Sequence, residues 1–363
     1  MTHGMVSAPQ PEAVEAGLDI LQAGGNVVDA AVGAALVQTA VDPQMCGIAG
    51  FGSMHLYLAD GDVHTCIDFH GRAPLATTPD MWEDLIVREC DDGFGFVLKG
   101  EVNEIGYQSM TTPLTIKAFD EALSRFGSRS LAEMLAPAIE YCEGEMLRNP
   151  DMARTYRRIA EHGVEDFYSG EIGKQIDADM RANGGLITLE DLASCETETV
   201  DPLWTDYRGH RVATNQPPGG GLMIVLMLNI LENFDLAAMG HNSADYIATV
   251  SEAMKIATVD KDARMGDPRF FDIPFAELMS KDYAKAMAER IKRGEKTSVP
   301  RMNPGGNDSK ETTHICVADR SGNCVTMTHS LGSSSGTVTD GLGFMYNNCM
   351  MVFDPRPGHT GSL

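Results

Sequence analysis

Near the C-terminal end of the chain, two short runs of β-favouring residues flank a polar turn. The first run covers residues 311–319, a Gly-Asn turn lies at 322–323, and the second run, 324–330, alternates apolar and polar residues. A period of two on either side of such a turn is typical of a β-hairpin. The pattern therefore predicts a hairpin whose first strand starts with Thr312.

Helical patterns precede this hairpin. Apolar residues recur at helical spacing over 11–23 and stop at a Gly-Gly-Asn sequence, which tolerates left-handed backbone. Residues 28–37 are rich in small side chains and apolar nearly all round, which predicts a buried helix. Ser130 and Glu133 have the spacing of a capping box, and Pro137 predicts a kink or a break in the helix that follows.

The order of the patterns predicts an α/β protein with a helix-rich middle section. Strand patterns fall in 50–70, helical patterns in 75–200, and a strand followed by helices in 205–290. Residues 293–311 are polar and contain two prolines and three glycines, which predicts a flexible, exposed linker. This linker ends directly before Thr312, as it would in a chain that is cut at that bond.

Composition narrows the class of protein. The chain has 363 residues, 43% hydrophobic and 22% charged, enough to bury a full core in one large or two modest domains. Its 28 basic and 52 acidic residues give a net charge of −24, which argues against nucleic acid or an anionic membrane as a partner. The N-terminus has no signal-peptide pattern and no apolar run is long enough to span a bilayer, so we expect a cytoplasmic protein.

The cysteines and histidines do not form a recognisable metal or disulfide pattern. Eight cysteines are scattered without a Cys-x-x-Cys pair, and the ten histidines include no His-x-x-x-His pair. The sequence favours reduced, mostly buried thiols over a disulfide framework or a zinc site. We expect neither a metal nor another cofactor.

Two glycine-rich turns could contact a ligand. The turn at 42–52 lets the backbone approach a neighbour closely, but it is not a phosphate loop because no Lys-Ser/Thr pair follows it. The turn at 216–221 precedes an apolar helix. It could bind an anion or could simply be a packing turn, and the sequence leaves both open.

Several segments, taken in order, resemble the gamma-glutamyltranspeptidase family of N-terminal-nucleophile hydrolases. The matching segments are 24–31, 47–52, 217–221, 240–244 and Thr312-Thr313-His314, together with Asp319, Gly322-Asn323 and Asn347-Asn348. They cover nearly the whole chain, from residue 4 to about residue 358. The resemblance implies a four-layer αββα sandwich.

The resemblance also implies a precursor that cuts itself between Glu311 and Thr312. Residues 1–311 would form a large subunit and 312–363 would begin a small one, giving a heterodimer that could assemble into a higher oligomer. Thr312 would be the nucleophile, because its freed α-amine, with a usual pKa of about 7.7–8.0, can act as general base for its own hydroxyl. Ser330 matches the family position whose hydroxyl hydrogen-bonds the nucleophile. The substrate would be a small-molecule amide.

The residues that should bind the substrate depart from the family pattern. His70 stands where glutathione-cleaving relatives have an arginine for the glutamyl α-carboxylate, and Gly332, Cys349 and Val352 replace an Asn, a Gln and an Asp that bind its α-amino group. An imidazole does not replace a bidentate guanidinium at equal strength, so we expect a small amide other than a free γ-glutamyl compound. Arg72, two residues further on, could bind a carboxylate in a new pose or form a structural ion pair.

Three functions stay open on the sequence. The leading one is an autoprocessing amidohydrolase or acyltransferase; the others are a true γ-glutamyl transferase or glutathione hydrolase, and a homologue that neither cuts itself nor catalyses. The family pattern normally continues past residue 358 with serines and a Gly-Gly pair that forms the oxyanion hole. We therefore expect 312–363 to be an incomplete small-subunit region.

Overall fold

The computed structural model of the chain describes residues 3–90, 95–145, 147–299 and 312–363. The strands are β1 Gly4–Ser7, β2 Phe51–Leu58, β3 Val63–Phe69, β4 Ile86–Glu89, β5 Phe96–Leu98, β6 Glu198–Val200, β7 Leu203–Tyr207, β8 His210–Thr214, β9 Thr313–Asp319 and β10 Cys324–Ser330. The helices are α1 Pro11–Gln22, α2 Val27–Val41, α3 Thr115–Phe126, α4 Leu131–Glu143, α5 Pro150–His162, α6 Glu165–Tyr168, α7 Glu171–Ala182, α8 Leu189–Ser194, α9 Gly221–Leu231, α10 Leu236–Met239, α11 Ala244–Arg264, α12 Phe275–Leu278 and α13 Lys281–Lys292.

The main sheet has six strands in the order β1-β9-β10-β2-β3-β6, and every neighbouring pair is antiparallel. The hairpin predicted near the C-terminal end is confirmed as β9 and β10, which occupy inner positions. Its turn is held by Asp319, whose carboxylate accepts hydrogen bonds from the backbone of Ser321 and Asn323. The C-terminal strands are thus paired on both sides by strands from the first seventy residues.

Helices cover one face of this sheet. Helix α2 packs against β9 and β10 and also against α1 and α4. It is buried over nearly its whole length, which confirms the helix predicted from the all-round apolar pattern. Asn26 and Asp29 form its N-terminal capping box, and the buried Asp29 carboxylate also accepts hydrogen bonds from Ser128. The buried charge is therefore satisfied at the helix start, where the helix dipole favours it.

A second core lies outside the main sheet. Helices α9, α11 and α13 pack together, and the hairpin β7-β8 packs against α9. The strand expected before the helices of 205–290 is present, but as a hairpin of two strands, β7 and β8, rather than as one strand. The strand pattern divides at Arg208 and Gly209, whose φ angles of 51° and 81° make the tight hairpin turn between β7 and β8.

Helix α4 corrects another expectation. It starts at the predicted capping box of Ser130 and Glu133 and continues to Glu143. Pro137 lies inside it, so of the two effects expected for this proline the break is wrong and the kink stays a prediction. Leu135 and Ala138, on either side of the proline, are fully buried, and this packing holds the helix together where the proline removes a backbone hydrogen bond.

Two further properties concern only the described residues. None of their helices is both long and apolar enough to cross a membrane. No group of three or more His, Cys, Asp or Glu side chains among them is arranged to hold a metal ion. The division of the chain into regions 1–311 and 312–363 stays a prediction.

Candidate active site

Thr312 and Ser330 meet at one end of the main sheet. Thr312 directly precedes β9 and is exposed, whereas Ser330 ends β10 and is buried. Thr312 Oγ1 lies 3.1 Å from Ser330 Oγ. Ser330 Oγ also accepts a hydrogen bond of 2.9 Å from the backbone N–H of Gly332. A hydroxyl that accepts in this way still has a proton to donate, so Ser330 can hydrogen-bond a lone pair of Thr312 Oγ1.

The neighbouring residues on the two strands anchor this contact to helix α2. Thr313 and His329 are directly paired and face the helical layer. Gln38 Nε2 donates to Thr313 Oγ1 at 2.7 Å, and Gln38 Oε1 lies 2.8 Å from His329 Nε2. Burial, with a smaller repulsion from His314, lowers the pKa of His329 to about 3, so its imidazole is neutral. Because Gln38 Oε1 only accepts, His329 carries its proton on Nε2.

Thr312 and Ser330 lie side by side on neighbouring strands. The sheet register extends this row by one residue on each of the next two strands. Ser330 pairs with Phe51, and Gly52 pairs with Phe69, so His70 follows as the neighbour of Phe51. Directly paired residues point to the same face of a sheet. Phe51 and His70 therefore share the face of the two hydroxyls, opposite the helical layer.

His70 is held by a carboxylate from its own strand. Its Nδ1 lies 2.8 Å from Asp68 Oδ2, and its backbone N–H donates to Asp68 Oδ1 at 3.0 Å. Burial acts to raise the pKa of Asp68, but the hydrogen bonds from His70 and the charge of Arg72 outweigh it and lower that pKa. The ionised carboxylate can only accept, so the imidazole carries a proton on Nδ1 and turns Nε2 away from Asp68.

Arg72 forms an ion pair in the structure. One of its terminal nitrogens lies 2.9 Å from Glu198 Oε1, and Arg269 contacts the same oxygen at 3.1 Å. Arg269 is also bonded through its Nε to Asp267. Arg72 and Arg269 line a pocket of about 310 Å³. Of the two roles expected for Arg72, the observed contact matches the structural ion pair, and carboxylate binding stays a prediction.

The three remaining positions that depart from the family pattern, Gly332, Cys349 and Val352, present no charged group. Gly332 has a φ of 73°, and a Cβ added there would lie 2.4 Å from Asn348 Oδ1. Burial raises the pKa of the Cys349 thiol to about 12, although a hydrogen bond with Thr111 acts in the other direction. Val352 is half-exposed. The structure thus offers no ammonium-binding acceptor at these three positions.

Two asparagines fix the loop that carries these residues. Asn347 Oδ1 accepts from the backbone and hydroxyl of Thr111 and from the backbone of Cys349. Asn348 Oδ1 accepts from the backbone of Ser333. The loop is therefore held by two buried amide groups, at positions that the sequence showed only as matches to the family.

Glu311, the residue expected on the other side of the cut bond, lies outside the described residues, as does the linker over 300–311. The described part of the linker is tied to α11: the backbone N–H of Thr297 donates to the buried Glu252 carboxylate at 2.9 Å. The catalytic and autocleavage roles of Thr312 and Ser330 stay predictions.

Sequence reasoning missed four residues around this site: Gln38, Phe51, Asp68 and His329. Asp68 could have been found from its spacing of two from His70, which puts both side chains on one face of a strand. The other three depend on which strands and helices become neighbours. That pairing is long-range and leaves no local pattern.

Comparison with known proteins decides the family. The family model for gamma-glutamyltranspeptidase matches residues 13–144 and 142–362. The chain belongs to the gamma-glutamyltranspeptidase family. It is thus an enzyme of a hydrolase and transferase family, and the N-terminal-nucleophile hydrolase fold class expected from the sequence is confirmed.

Relatives of two activities are similar to this family member to the same degree. Acylase ACY 1 proenzyme of Pseudomonas sp. (strain V22) is 35% identical, over 100% of this chain and 72% of that protein. Glutathione hydrolase proenzyme of Escherichia coli (strain K12) is 34% identical, over 98% and 68%. Overall identity therefore does not choose between an acylase and a glutathione hydrolase.

The solved structures that resemble this chain also include both an acylase and a gamma-glutamyltranspeptidase. Cephalosporin acylase from Bacillus halodurans has a TM-score of 0.86 and 29% identity, covering 100% of this chain and 72% of that one. Helicobacter pylori gamma-glutamyltranspeptidase has a TM-score of 0.74 and 28% identity, covering 85% of this chain and 97% of that one. The fold is shared with both.

Proposed function

We propose that this family member is an autoprocessing N-terminal-threonine acylase that cleaves a small amide through an acyl ester on Thr312 Oγ1. The observation that carries the proposal is the 3.1 Å contact between Thr312 Oγ1 and Ser330 Oγ at an exposed end of the sheet. In the first step the Thr312 oxygen attacks the amide carbonyl, the C–N bond breaks, and the amine leaves with the hydroxyl proton. Water then hydrolyses the ester and releases the acid.

The proposed general base is the α-amine of Thr312 itself, which exists only after the bond to Glu311 is cut. A free α-amine titrates near neutral pH, so a useful fraction is unprotonated there. Ser330 would hold Thr312 Oγ1 in one orientation by donating to its second lone pair. The Gln38 network on the opposite face fixes the two strands that carry these hydroxyls.

The pocket favours an acylase over a γ-glutamyl transferase. A γ-glutamyl group carries a carboxylate and an ammonium next to each other, and both need charged or strongly polar partners. At the positions where the family binds them, this chain has His70 paired with Asp68, a glycine with no side chain, a buried thiol and a valine. Acylases are also among the relatives.

Self-cleavage is tested by intact mass measurement of the purified 363-residue chain. We expect the wild type to give two fragments, 1–311 and 312–363, and Thr312→Ala to give one uncut mass. Thr312→Ser is the matched control, because it keeps the hydroxyl and should still cut. An uncut wild type, or cleavage of Thr312→Ala at the same bond, contradicts the mechanism.

The supporting role of Ser330 is tested by Ser330→Ala and Ser330→Thr. Removing one hydrogen bond to a reacting group costs about 1.5–3 kcal/mol, so we expect Ser330→Ala to lower kcat roughly 10- to 100-fold. Ser330→Thr keeps the hydroxyl and should stay within a few-fold of the wild type. Steady-state rates on an acyl anilide, with cleavage checked by mass, provide the measurement. Equal rates for all three proteins would exclude a role for this hydroxyl.

A further inference from the structure

Phe51 is the side chain that separates the two hydroxyls from His70. It pairs with Ser330 on one side, and by the same register its other neighbour is His70. It points to the half-exposed face of the sheet and is itself half-buried. A Cβ added at Gly332 would lie 4.0 Å from the Phe51 ring. The phenyl ring therefore lies beside the site of attack, next to a position that has no side chain.

The row of Thr312, Ser330, Phe51 and His70 defines a candidate acyl-binding groove, and the sheet spacing sets its length. Thr312 and His70 are three strand spacings apart, and each spacing is about 4.8 Å, so their backbones are separated by about 14 Å. Phe51 lies between them, and the His70 imidazole, held by Asp68, stands at the far end of the row. An acyl chain attached to Thr312 and directed along the row would lie across the ring.

The chemistry of the groove suits an uncharged chain. Gly332, which borders the ring, has no side chain that could pair with an ammonium, and the buried thiol of Cys349 is protonated. The Asp68 carboxylate, two residues before His70 on the same face, is already bound to His70 through both oxygens. A phenyl ring, by contrast, offers a large apolar surface against which methylene groups lose contact with water.

We propose that Phe51 is the floor of the acyl-binding groove and that it selects acyl groups with a linear apolar chain of medium length. The inference rests on the proposed acylase function. It goes beyond that function because it names the substrate class and the residue that determines it. Each methylene buried against the ring should favour binding about fourfold.

The kinetic test compares acetyl, butyryl, hexanoyl and γ-glutamyl p-nitroanilides. For the cleaved wild type we expect kcat/KM to rise about fourfold per methylene up to hexanoyl, mainly through KM, and to be lower for γ-glutamyl than for butyryl. Phe51→Ala should lower the ratio of kcat/KM for hexanoyl to that for acetyl at least tenfold. Phe51→Leu should keep most of this ratio. Tyr57→Ala is the matched control, since Tyr57 is an exposed aromatic residue further along the same face of β2. A preference for γ-glutamyl, or an unchanged slope in Phe51→Ala, overturns the inference.

A binding test separates this inference from the proposed function. Thr312→Ala cannot acylate, so its binding of hexanoate and of L-glutamate, followed by saturation-transfer NMR, does not depend on cleavage or turnover. We expect hexanoate to bind and L-glutamate not to bind, and the double variant with Phe51→Ala to lose hexanoate at an unchanged melting temperature. Failure of self-cleavage with hexanoate binding intact refutes the proposed function alone. Absence of hexanoate binding, or binding that Phe51→Ala does not weaken, refutes the groove.

Discussion

At the scale of single residues, the proposed reacting pair agrees with the family pattern, while the proposed substrate-binding positions depart from it. Thr312 and Ser330 are within hydrogen-bond distance, as an N-terminal-nucleophile enzyme requires. Gly332 is one of the proposed substrate-binding positions that depart from the family pattern. That residue has a left-handed φ of 73° and lies against Asn348. A side chain at this position would therefore be strained both by the backbone conformation and by the contact with Asn348.

The energetic importance of the contact between Gly332 and Asn348 can be measured by comparing Gly332 with a matched glycine. Gly336 has nearly the same φ, 71°, but a Cβ there would meet nothing within 4 Å. Gly336→Ala should cost only the left-handed backbone penalty, about 1–2 kcal/mol. Gly332→Ala should cost about 1–3 kcal/mol more, because its Cβ would displace Asn348 Oδ1 from the Ser333 amide. Urea unfolding of both variants checks the difference, and equal losses of stability would show that the contact with Asn348 is unimportant.

At the scale of elements, strand β10 shows why the site needs both faces of the sheet. His329 points into the helical layer and is bound by Gln38, while the next residue, Ser330, points to the opposite face and meets Thr312. A helix that is buried all round thus fixes the position of a hydroxyl it does not contact. Any substitution that shifts α2 should affect the reacting pair through these two strands.

Some of these elements could be predicted from the sequence, but their pairing could not. The hairpin β9-β10 and helix α2 follow from local alternation and composition, so both could be predicted. The pairing of Ser330 with Phe51 joins residues almost 280 positions apart, and local pattern has no information about such a register. For the same reason the sequence shows Gln38 only as a polar residue in an apolar helix. Its contacts with β9 and β10 become evident only when these strands pack on the helix.

His55 on strand β2 gives a prediction about pH. Its Nε2 is buried without a hydrogen-bond partner in the described structure, and burial, followed by repulsion from His64, lowers its pKa to about 4. The usual value is about 6.5, so below that pH the unfolded chain gains a proton that the folded chain does not. The free energy of unfolding should fall as the pH drops from about 6.5 to about 4.

The variant His55→Phe keeps a ring of similar size but cannot titrate. Between pH 7.5 and pH 5 we expect the wild type to lose roughly 1–2 kcal/mol more stability than this variant, allowing for partial exposure of the ring. Denaturant unfolding at the two pH values gives the difference between the proteins, in which the contributions of the carboxylates cancel. Parallel losses in both proteins would mean that His55 is not kept neutral by the fold.

At the scale of the whole molecule, the predicted cut falls where the two pieces cannot easily part. Residues 312–330 supply inner strands of the six-stranded sheet, and β1, β2 and α2 from the rest of the chain surround them. Ile315, Val317, Val325 and Met327 are fully buried. Each such side chain contributes about 1.5–3 kcal/mol when buried, so cleavage between residues 311 and 312 should leave the interior of the sheet intact.

We therefore expect the cleaved protein to remain one particle. Native mass spectrometry should show fragments 1–311 and 312–363 together at the mass of the uncut chain plus one water, while a denaturing gel separates them. The uncut Thr312→Ala protein is the size reference. Val317→Asp places a charge in the core between β9 and the helices, and it should release the small fragment after cleavage because a buried unpaired carboxylate outweighs the remaining contacts. Separate elution of the two wild-type fragments without denaturant would show that the central position of β9 and β10 does not hold the subunits together.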